Sequence, residues 1–379
     1  MGGRGLPPGI LVKVARGMWR AGWWVMMSQL APASANGEYT RSPSAFRADR
    51  LPPVPIFREE AAESEGRREN NTPRRRRPMY RLYAGKACPW AHRTMMVAAL
   101  RNLVPADVLD VTLLEPGDEG LWEFVGGPGA PGAYGCETLK ELYELCLSGI
   151  DRQGKSYSGR ATAPLLVQVP GPEEQGPPYV VCNESADIAR LLNELGRRAA
   201  IEGIGVGGVE LYPASHREDI DMWIAELYDG LNNGVYRAGF ARSQAAKDRA
   251  VADVAATLDR VETTLQTTRY LCGTESPTLA DVFLFTTLFR FDAVYAPLFG
   301  CSLRRVADLG ATSGFIRDLY QLNGVAATCD AEGAMRQYYT TLFPLNPSGH
   351  IPPLPPYLSP ENLAEPHGRE SMGQSKSPS

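Results

Sequence analysis

Eight residues, Ala87-Cys88-Pro89-Trp90-Ala91-His92-Arg93-Thr94, constrain this chain more than any other stretch. They join a short apolar run, Tyr80-Arg81-Leu82-Tyr83, to Met95-Met96-Val97-Ala98-Ala99-Leu100. The pattern reads as strand, loop and helix. Pro89 belongs in the first helical turn, where a missing N–H removes no hydrogen bond. Cys88 then falls at the helix N-terminus. The free N–H groups and the helix dipole stabilise an anion there, and a thiolate is an anion. A cysteine so placed is a good nucleophile at neutral pH.

The residues around this stretch suggest how the sulfur is used. Val108 to Leu114 reads as a strand. A Gly/Pro-rich insertion, 115–135, follows and carries Trp122 and Phe124. From Thr138 to Leu147 the pattern is helical, with Leu139, Leu142, Tyr143 and Cys146 on one face. In Ala161-Thr162-Ala163-Pro164-Leu165-Leu166-Val167 a proline opens a strand, a position tolerated at a strand start or edge and one where a cis bond occurs. Tyr179 to Cys182 is another strand, leading through Asn183-Glu184-Ser185 into a helix over Ile188–Leu195. Ser185 either caps that helix or joins its free N–H groups in a carboxylate-binding nest.

The order β-α-β-α-β-β-α over residues 78–200 is a thioredoxin-like layout. That topology usually carries Cys-x-x-Cys, but here Ala91 stands three residues after Cys88. One cysteine cannot close its own disulfide. It must exchange with a small external thiol, and glutathione is the default partner.

Residues 208–343 read as an all-helical second domain. Ile220, Trp223, Ile224, Leu227, Tyr228 and Leu231 repeat at three and four, as do Val251, Val254, Leu258, Val261 and Leu265. Thr278 and Asp281 form a capping box before Val282-Phe283-Leu284-Phe285, which gives Asp281 a structural role. Tyr236, Tyr295, Tyr338 and Tyr339 fall outside the stripes. A flat apolar face with a phenolic donor suits an aromatic, oxygen-bearing ligand; ordinary packing is the alternative.

The flanks are compositionally distinct. Residues 1–37 contain no Asp or Glu but carry Arg4, Lys13, Arg16 and Arg20, which fits either a flexible extension or an organelle transit peptide. The expected compartment is the cytoplasm, or the chloroplast or mitochondrion if that segment is a transit peptide. Residues 38–77 pair a docking segment, with Tyr39, Arg41, Phe46 and Arg47, with a charged linker ending in Arg74 to Arg77. Residues 344–379 form a Pro-rich tail whose last stretch is expected to be disordered. A net charge of −4 gives no argument for nucleic acid. No apolar run reaches membrane-spanning length, so no membrane partner is expected. The seven cysteines are scattered, which suits a reduced intracellular protein, and the four dispersed histidines suggest no metal.

These features together resemble the glutathione transferase superfamily and, within it, the Xi class, the S-glutathionyl-hydroquinone reductases. The resemblance covers about residues 37–356. It rests on Cys88-Pro89-Trp90-Ala91-His92-Arg93, Asn183-Glu184-Ser185, and Asn232-Asn233-Gly234-Val235-Tyr236 with Gly239-Phe240-Ala241. Arg290-Phe291-Asp292 with Val294-Tyr295, Tyr338-Tyr339 and Asn346-Pro347-Ser348-Gly349 complete it. It implies a thioredoxin-like N-terminal domain plus an all-α C-terminal domain, a homodimer, and glutathione as co-substrate without a metal. Cys88 would be the nucleophile. Trp122 would lie against glutathione, Arg160 near its carboxylate region, and Ala163, before Pro164, along its cysteinyl backbone. Glu184 and Ser185 would hold the γ-glutamyl end. Tyr236, Tyr295 and one of Tyr338 or Tyr339 would line a quinol pocket.

Ala163 stands where the family usually has Val, and Val167-Gln168 where it has Trp-Asp. A backbone contact survives the first change. The activity implied is glutathione-dependent reduction of S-glutathionyl-hydroquinones through a mixed disulfide. The alternatives are an Omega-like thioltransferase or dehydroascorbate reductase, and a non-catalytic binding protein of the same fold.

Overall fold

The structure is a computed structural model and describes residues 8–30, 33–53, 55–60, 75–117, 120–147, 159–170, 176–342 and 345–372. The first described element is helix α1 (Pro8–Leu30), within the stretch read as a flexible extension or a transit peptide. Most of α1 is exposed, but Met27 at its far end is buried in the core and its carbonyl accepts a hydrogen bond from Arg242 Nη2 at 2.7 Å. Strands β1 (Phe57–Glu60) and β2 (Arg75–Pro78) then pair antiparallel. The four-arginine run therefore ends in a strand; the charged stretch 61–74 lies outside the described residues.

The central sheet is built from β3 (Tyr80–Ala84), β4 (Asp110–Pro116), β5 (Trp122–Phe124), β6 (Leu165–Gln168) and β7 (Tyr179–Cys182), in the order β5-β4-β3-β6-β7. Among the described strands only β3 and β4 run parallel, and helix α2 (Pro89–Leu100) makes the crossover that a parallel pair requires. Helix α3 (Leu139–Leu147) buries Leu139, Leu142, Tyr143 and Cys146, the face expected from the spacing. Helix α4 (Ser185–Ile201) is longer at both ends than Ile188–Leu195. Strand β5, inside the Gly/Pro-rich insertion, is the other departure. It is three residues long, too short to show an alternating pattern.

Side chains alternate across β3, and that alternation separates two cores. Tyr80, Leu82 and Ala84 join the large cluster shared with α2, α4 and the helical half, while Tyr83 joins a smaller cluster with Phe124, Leu139 and Leu165.

The second half comprises α5 (Arg217–Leu227), α6 (Gly234–Gly239), α7 (Gln244–Leu265), α8 (Leu279–Arg290), α9 (Ala296–Phe299), α10 (Gly310–Gln321), α11 (Ala331–Thr341) and the short α12 (Pro360–Leu363). Ile220, Trp223, Ile224, Leu227 and Leu231 are buried, and so are Val254, Leu258, Val261 and Leu265. Tyr228 and Val251 fall outside the fully buried set. Every residue of α8 is buried. Leu279–Phe299 is long and apolar enough to cross a membrane, but 78% of its most apolar window is buried, which makes it the core of the helical half. The capping box closes the start of α8: Thr278 N–H donates to Asp281 at 2.8 Å, and the Leu271 N–H reaches the same carboxylate at 2.8 Å.

The Pro-rich tail is exposed over 347–353 and packs on the helical half beyond that. Leu358 and Leu363 are buried, and Arg369 donates to the carbonyls of Leu265, Thr268, Arg269 and Ala311 at 2.8–3.2 Å. The final stretch, 373–379, lies outside the described residues.

Candidate active site

Cys88 is the N-cap of α2, in extended conformation (φ −79°, ψ 122°), with Pro89 in the first turn. Its carbonyl accepts the first helical bond from His92 N–H at 2.9 Å, and its own N–H donates to Gly85 at 3.1 Å. The thiol makes no capping bond, so it does not use up the free amides of the first turn. Sγ is half-buried and lies 3.8 Å from the carbonyl oxygen of Ala163.

The Ala163–Pro164 bond is cis. It brings the residue before β6 beside Cys88, and the Ala163 N–H has no acceptor among the described residues. Tyr143 holds this turn by donating to Thr162 O at 2.9 Å. Asn183 Nδ2 donates to the same tyrosine oxygen at 3.1 Å, so the start of α4 and the cis-proline turn share one hydroxyl. Trp122 covers the loop on the other side: a Cβ on Gly85 would fall 2.3 Å from its ring, so only glycine fits there. Arg160 is exposed before the turn, and its charge reaches the Tyr39 hydroxyl.

Glu184, not Ser185, is the N-cap of α4. Its Oε1 accepts from Ala186 N–H at 3.3 Å and its Oε2 from Ser44 Oγ at 2.8 Å. Burial alone would raise its carboxyl, but the Ser44 bond, Arg41, the Ala186 amide and Arg93 together hold it below the usual range. Ser185 is the first helical residue and is buried, with Oγ 3.4 Å from Glu184 Oε1. The nest expected there is thus partly filled by the chain's own carboxylate, which accepts from the Ala186 amide.

One buried arginine fixes the Cys88 loop and a second packs behind Trp90. Arg290, the last residue of α8, donates to Lys86 O at 2.6 Å, Ala87 O at 3.1 Å and Thr286 O at 2.9 Å. Its Nη1 also lies 3.0 Å from His92 Nδ1. A guanidinium only donates, so Nδ1 is the acceptor and Nε2 carries the ring proton. Nε2 then donates to Thr328 Oγ1 at 3.0 Å, and that hydroxyl to Val325 O at 2.7 Å. Arg93 lies between the rings of Trp90 (4.6 Å) and Phe283 (3.9 Å) and donates to Asn232 Oδ1 at 3.4 Å. Burial first, then the Arg41 charge, pushes it down to about 9, while Glu184 and Cys88 act the other way. Asn232 Nδ2 bonds Phe283 O and Thr287 Oγ1, so Asn232 is fixed where it seats Arg93.

Burial, reinforced by Arg290 and Lys86, holds His92 well below its ordinary 6.5. The unfolded chain therefore binds a proton here that the folded chain refuses. Stability from this histidine is complete above about pH 6.5 and falls as pH drops, by about 1.4 kcal/mol per pH unit for one proton. Urea midpoints should decline from pH 7 to pH 5, and less steeply in His92→Gln. Identical slopes in both proteins would contradict the buried neutral ring.

The tyrosines converge. Tyr236, Tyr295 and Tyr338 form a triangle of hydroxyls: Tyr236 bonds Tyr338 closely, and Tyr295 lies 3.4 Å from each. Phe240 and Phe299 pack against Tyr236 with ring centroids 5.9 and 5.6 Å away. Burial raises all three hydroxyls above the usual tyrosine value, so they stay protonated and remain donors. Cys88 is close enough to act electrostatically on Tyr295 and Tyr338. Tyr339 does not join them. Its hydroxyl donates to Ala293 O at 3.3 Å, because adjacent residues on a helix point about 100° apart.

Of the residues singled out in the sequence, Cys88, Ala163 and the three clustered tyrosines gather at one place. Trp122, Glu184 and Ser185 sit on the elements around it, Arg160 is peripheral, and Tyr339 faces away. The roles of Arg290, His92, Arg93 and Ser44 were not apparent. A cleft of about 850 Å³ opens beside Ala87, between the end of β4 and α11, but Cys88, Glu184 and the tyrosine hydroxyls do not line it. Among the described residues no group of His, Cys, Asp and Glu could hold a metal.

A thioredoxin-like sheet with a lone N-cap cysteine, joined to a helical domain, defines a cysteine-type glutathione transferase. The family model for the glutathione S-transferase C-terminal domain matches residues 244–320. The glutathionyl-hydroquinone reductase YqjG of Escherichia coli is 36% identical over 93% of this chain and 97% of its own length. The glutathione-bound structure of that protein superposes with a TM-score of 0.63 at 38% identity, over 77% of this chain and 88% of the other. The glutathione transferase Xi of Phanerochaete chrysosporium superposes with a TM-score of 0.69 at 31% identity, over 86% and 96%. The chain belongs to the Xi-class glutathione transferases, the glutathionyl-hydroquinone reductase family.

Proposed function

We propose that the protein reduces S-glutathionyl-hydroquinones to hydroquinones, with glutathione as co-substrate and Cys88 as the nucleophile. The single observation carrying this is the half-buried Cys88 thiol at the α2 N-terminus beside a triangle of protonated tyrosine hydroxyls. In the first step the Cys88 thiolate attacks the glutathionyl sulfur. The sulfur–carbon bond breaks, its electron pair goes to the ring carbon, and that carbon takes a proton. The ring is reduced by two electrons and a Cys88–glutathione disulfide forms. In the second step a glutathione thiolate attacks that disulfide, releases glutathione disulfide and restores Cys88. Splitting the reaction this way predicts ping-pong kinetics.

Tyr236, Tyr295 and Tyr338 donate to the quinol oxygens and stabilise charge as the ring carbon is protonated. The γ-glutamyl end rests on Glu184 and Ser185, the cysteinyl backbone pairs with Ala163, and Trp122 and Arg160 flank the peptide. A homodimer, as the family resemblance implies, is proposed with this reading; analytical ultracentrifugation reads it directly.

Tyr338→Phe should lower kcat about 10- to 100-fold. Tyr339→Phe, whose hydroxyl points to Ala293 O, should change it less than about 3-fold. Equal effects would remove Tyr338 from the pocket. Offering glutathionyl-menadiol and dehydroascorbate side by side tests the reaction itself. Preference for dehydroascorbate would favour the Omega-like alternative.

A further inference from the structure

The segment from Glu38 to Arg47 is a strap tied to both halves of the molecule. At one end Glu38 pairs with Arg249 at 2.8 Å, and the Tyr39 ring packs edge-on against Phe240 at 5.5 Å. At the other end Ser44 bonds Glu184, Phe46 N–H donates to Asn183 Oδ1 at 3.0 Å, and Arg47 pairs with Asp187. Arg41 lies between these anchors. Its guanidinium sits 3.6 Å over the Trp90 ring, two residues from Cys88.

Arg41 forms no ion pair among the described residues, and its Nη1 is buried without a hydrogen-bond partner. A buried donor left unmatched is costly, and guanidinium is built to grip a carboxylate. The carboxylate under its influence, Glu184, is already held by Ser44 and Ala186. The acceptor that matches this fork in chemistry is a ligand carboxylate. If Glu184 takes the γ-glutamyl ammonium, the carboxylate on the same carbon lies within a few bond lengths of it, and the strap already reaches Glu184 through Ser44.

We propose that Arg41 is the ion-pair partner of the γ-glutamyl carboxylate of bound glutathione, so the N-terminal strap completes a site that the thioredoxin-like domain leaves open. The proposal rests on the glutathione reading above. It makes the strap a specificity element, because a thiol lacking that carboxylate would leave Arg41 unmatched.

The test uses the full chain with Cys88→Ser and, beside it, the same chain with Arg41→Gln or Arg41→Lys. Calorimetry measures binding of glutathione and of 4-aminobutyryl-cysteinylglycine, which lacks only the γ-glutamyl carboxylate. Arg41→Gln should weaken glutathione binding about 10- to 100-fold and the analogue less than about 2-fold, with Arg41→Lys intermediate for glutathione. With Cys88 intact, Arg41→Gln should raise KM for glutathionyl-menadiol and leave kcat within about 2-fold. Equal weakening of both ligands, or of neither, would overturn the role of Arg41 alone. Failure of both ligands to bind the Cys88→Ser chain would overturn the glutathione reading as well.

Discussion

Cys88→Ser should abolish turnover of glutathionyl-hydroquinones, lowering kcat by about 10³-fold or more. A hydroxyl at this position is a far weaker nucleophile and leaving group than a thiolate. The fold should be indifferent to the change. The thiol is half-buried at the edge of the large core cluster, and its one hydrogen-bond partner among the described residues is Ala163 O at 3.8 Å, so unfolding free energy should move by less than about 1 kcal/mol. Steady-state assays and urea denaturation on the same preparation check both halves. Retained activity would exclude Cys88 as the nucleophile, and coupled loss of stability would assign it a structural role.

The largest effect on stability is expected at a residue remote in sequence. Arg290→Met keeps most of the buried volume but leaves Lys86 O, Ala87 O and His92 Nδ1 without their donor. Buried acceptors left unmatched cost about 1–3 kcal/mol each, so a loss of about 3 kcal/mol or more is expected. Arg290→Lys should recover only part of it, because an ammonium lacks the planar fork that reaches several acceptors at once. Activity should fall further than the unfolded fraction explains, since the two carbonyls immediately precede Cys88. A loss under about 1 kcal/mol with normal kcat would show that the loop holds its own shape.

What the chain reveals in one dimension is local chemistry. Pro89 after Cys88, the Thr278–Asp281 box and the apolar face of α3 each involve residues within a few positions, and each reads directly from the sequence. Arg290 does not, because its partners lie about 200 positions away and nothing around it distinguishes a surface cation from a buried clamp. The same holds for Ser44 on Glu184 and for Asn232 under Arg93. Strand β5 is too short for a period to show, and its pairing depends on β4 being in place. The choice between Tyr338 and Tyr339 turns on helix phase, which adjacent residues of one type do not disclose. The anchoring of the Pro-rich tail does not show in the sequence either, because Arg369 binds carbonyls on segments 58–104 positions away.

The mixed disulfide can be caught in a single turnover. The wild-type chain is mixed with a stoichiometric amount of glutathionyl-menadiol in the absence of free glutathione, quenched with acid and analysed by mass spectrometry and chromatography. The expected result is one equivalent of menadiol released, with glutathione attached to Cys88 and to no other cysteine, and no further turnover until glutathione is added. Menadiol release that requires free glutathione from the start, with Cys88 unmodified, would contradict covalent catalysis through this thiol.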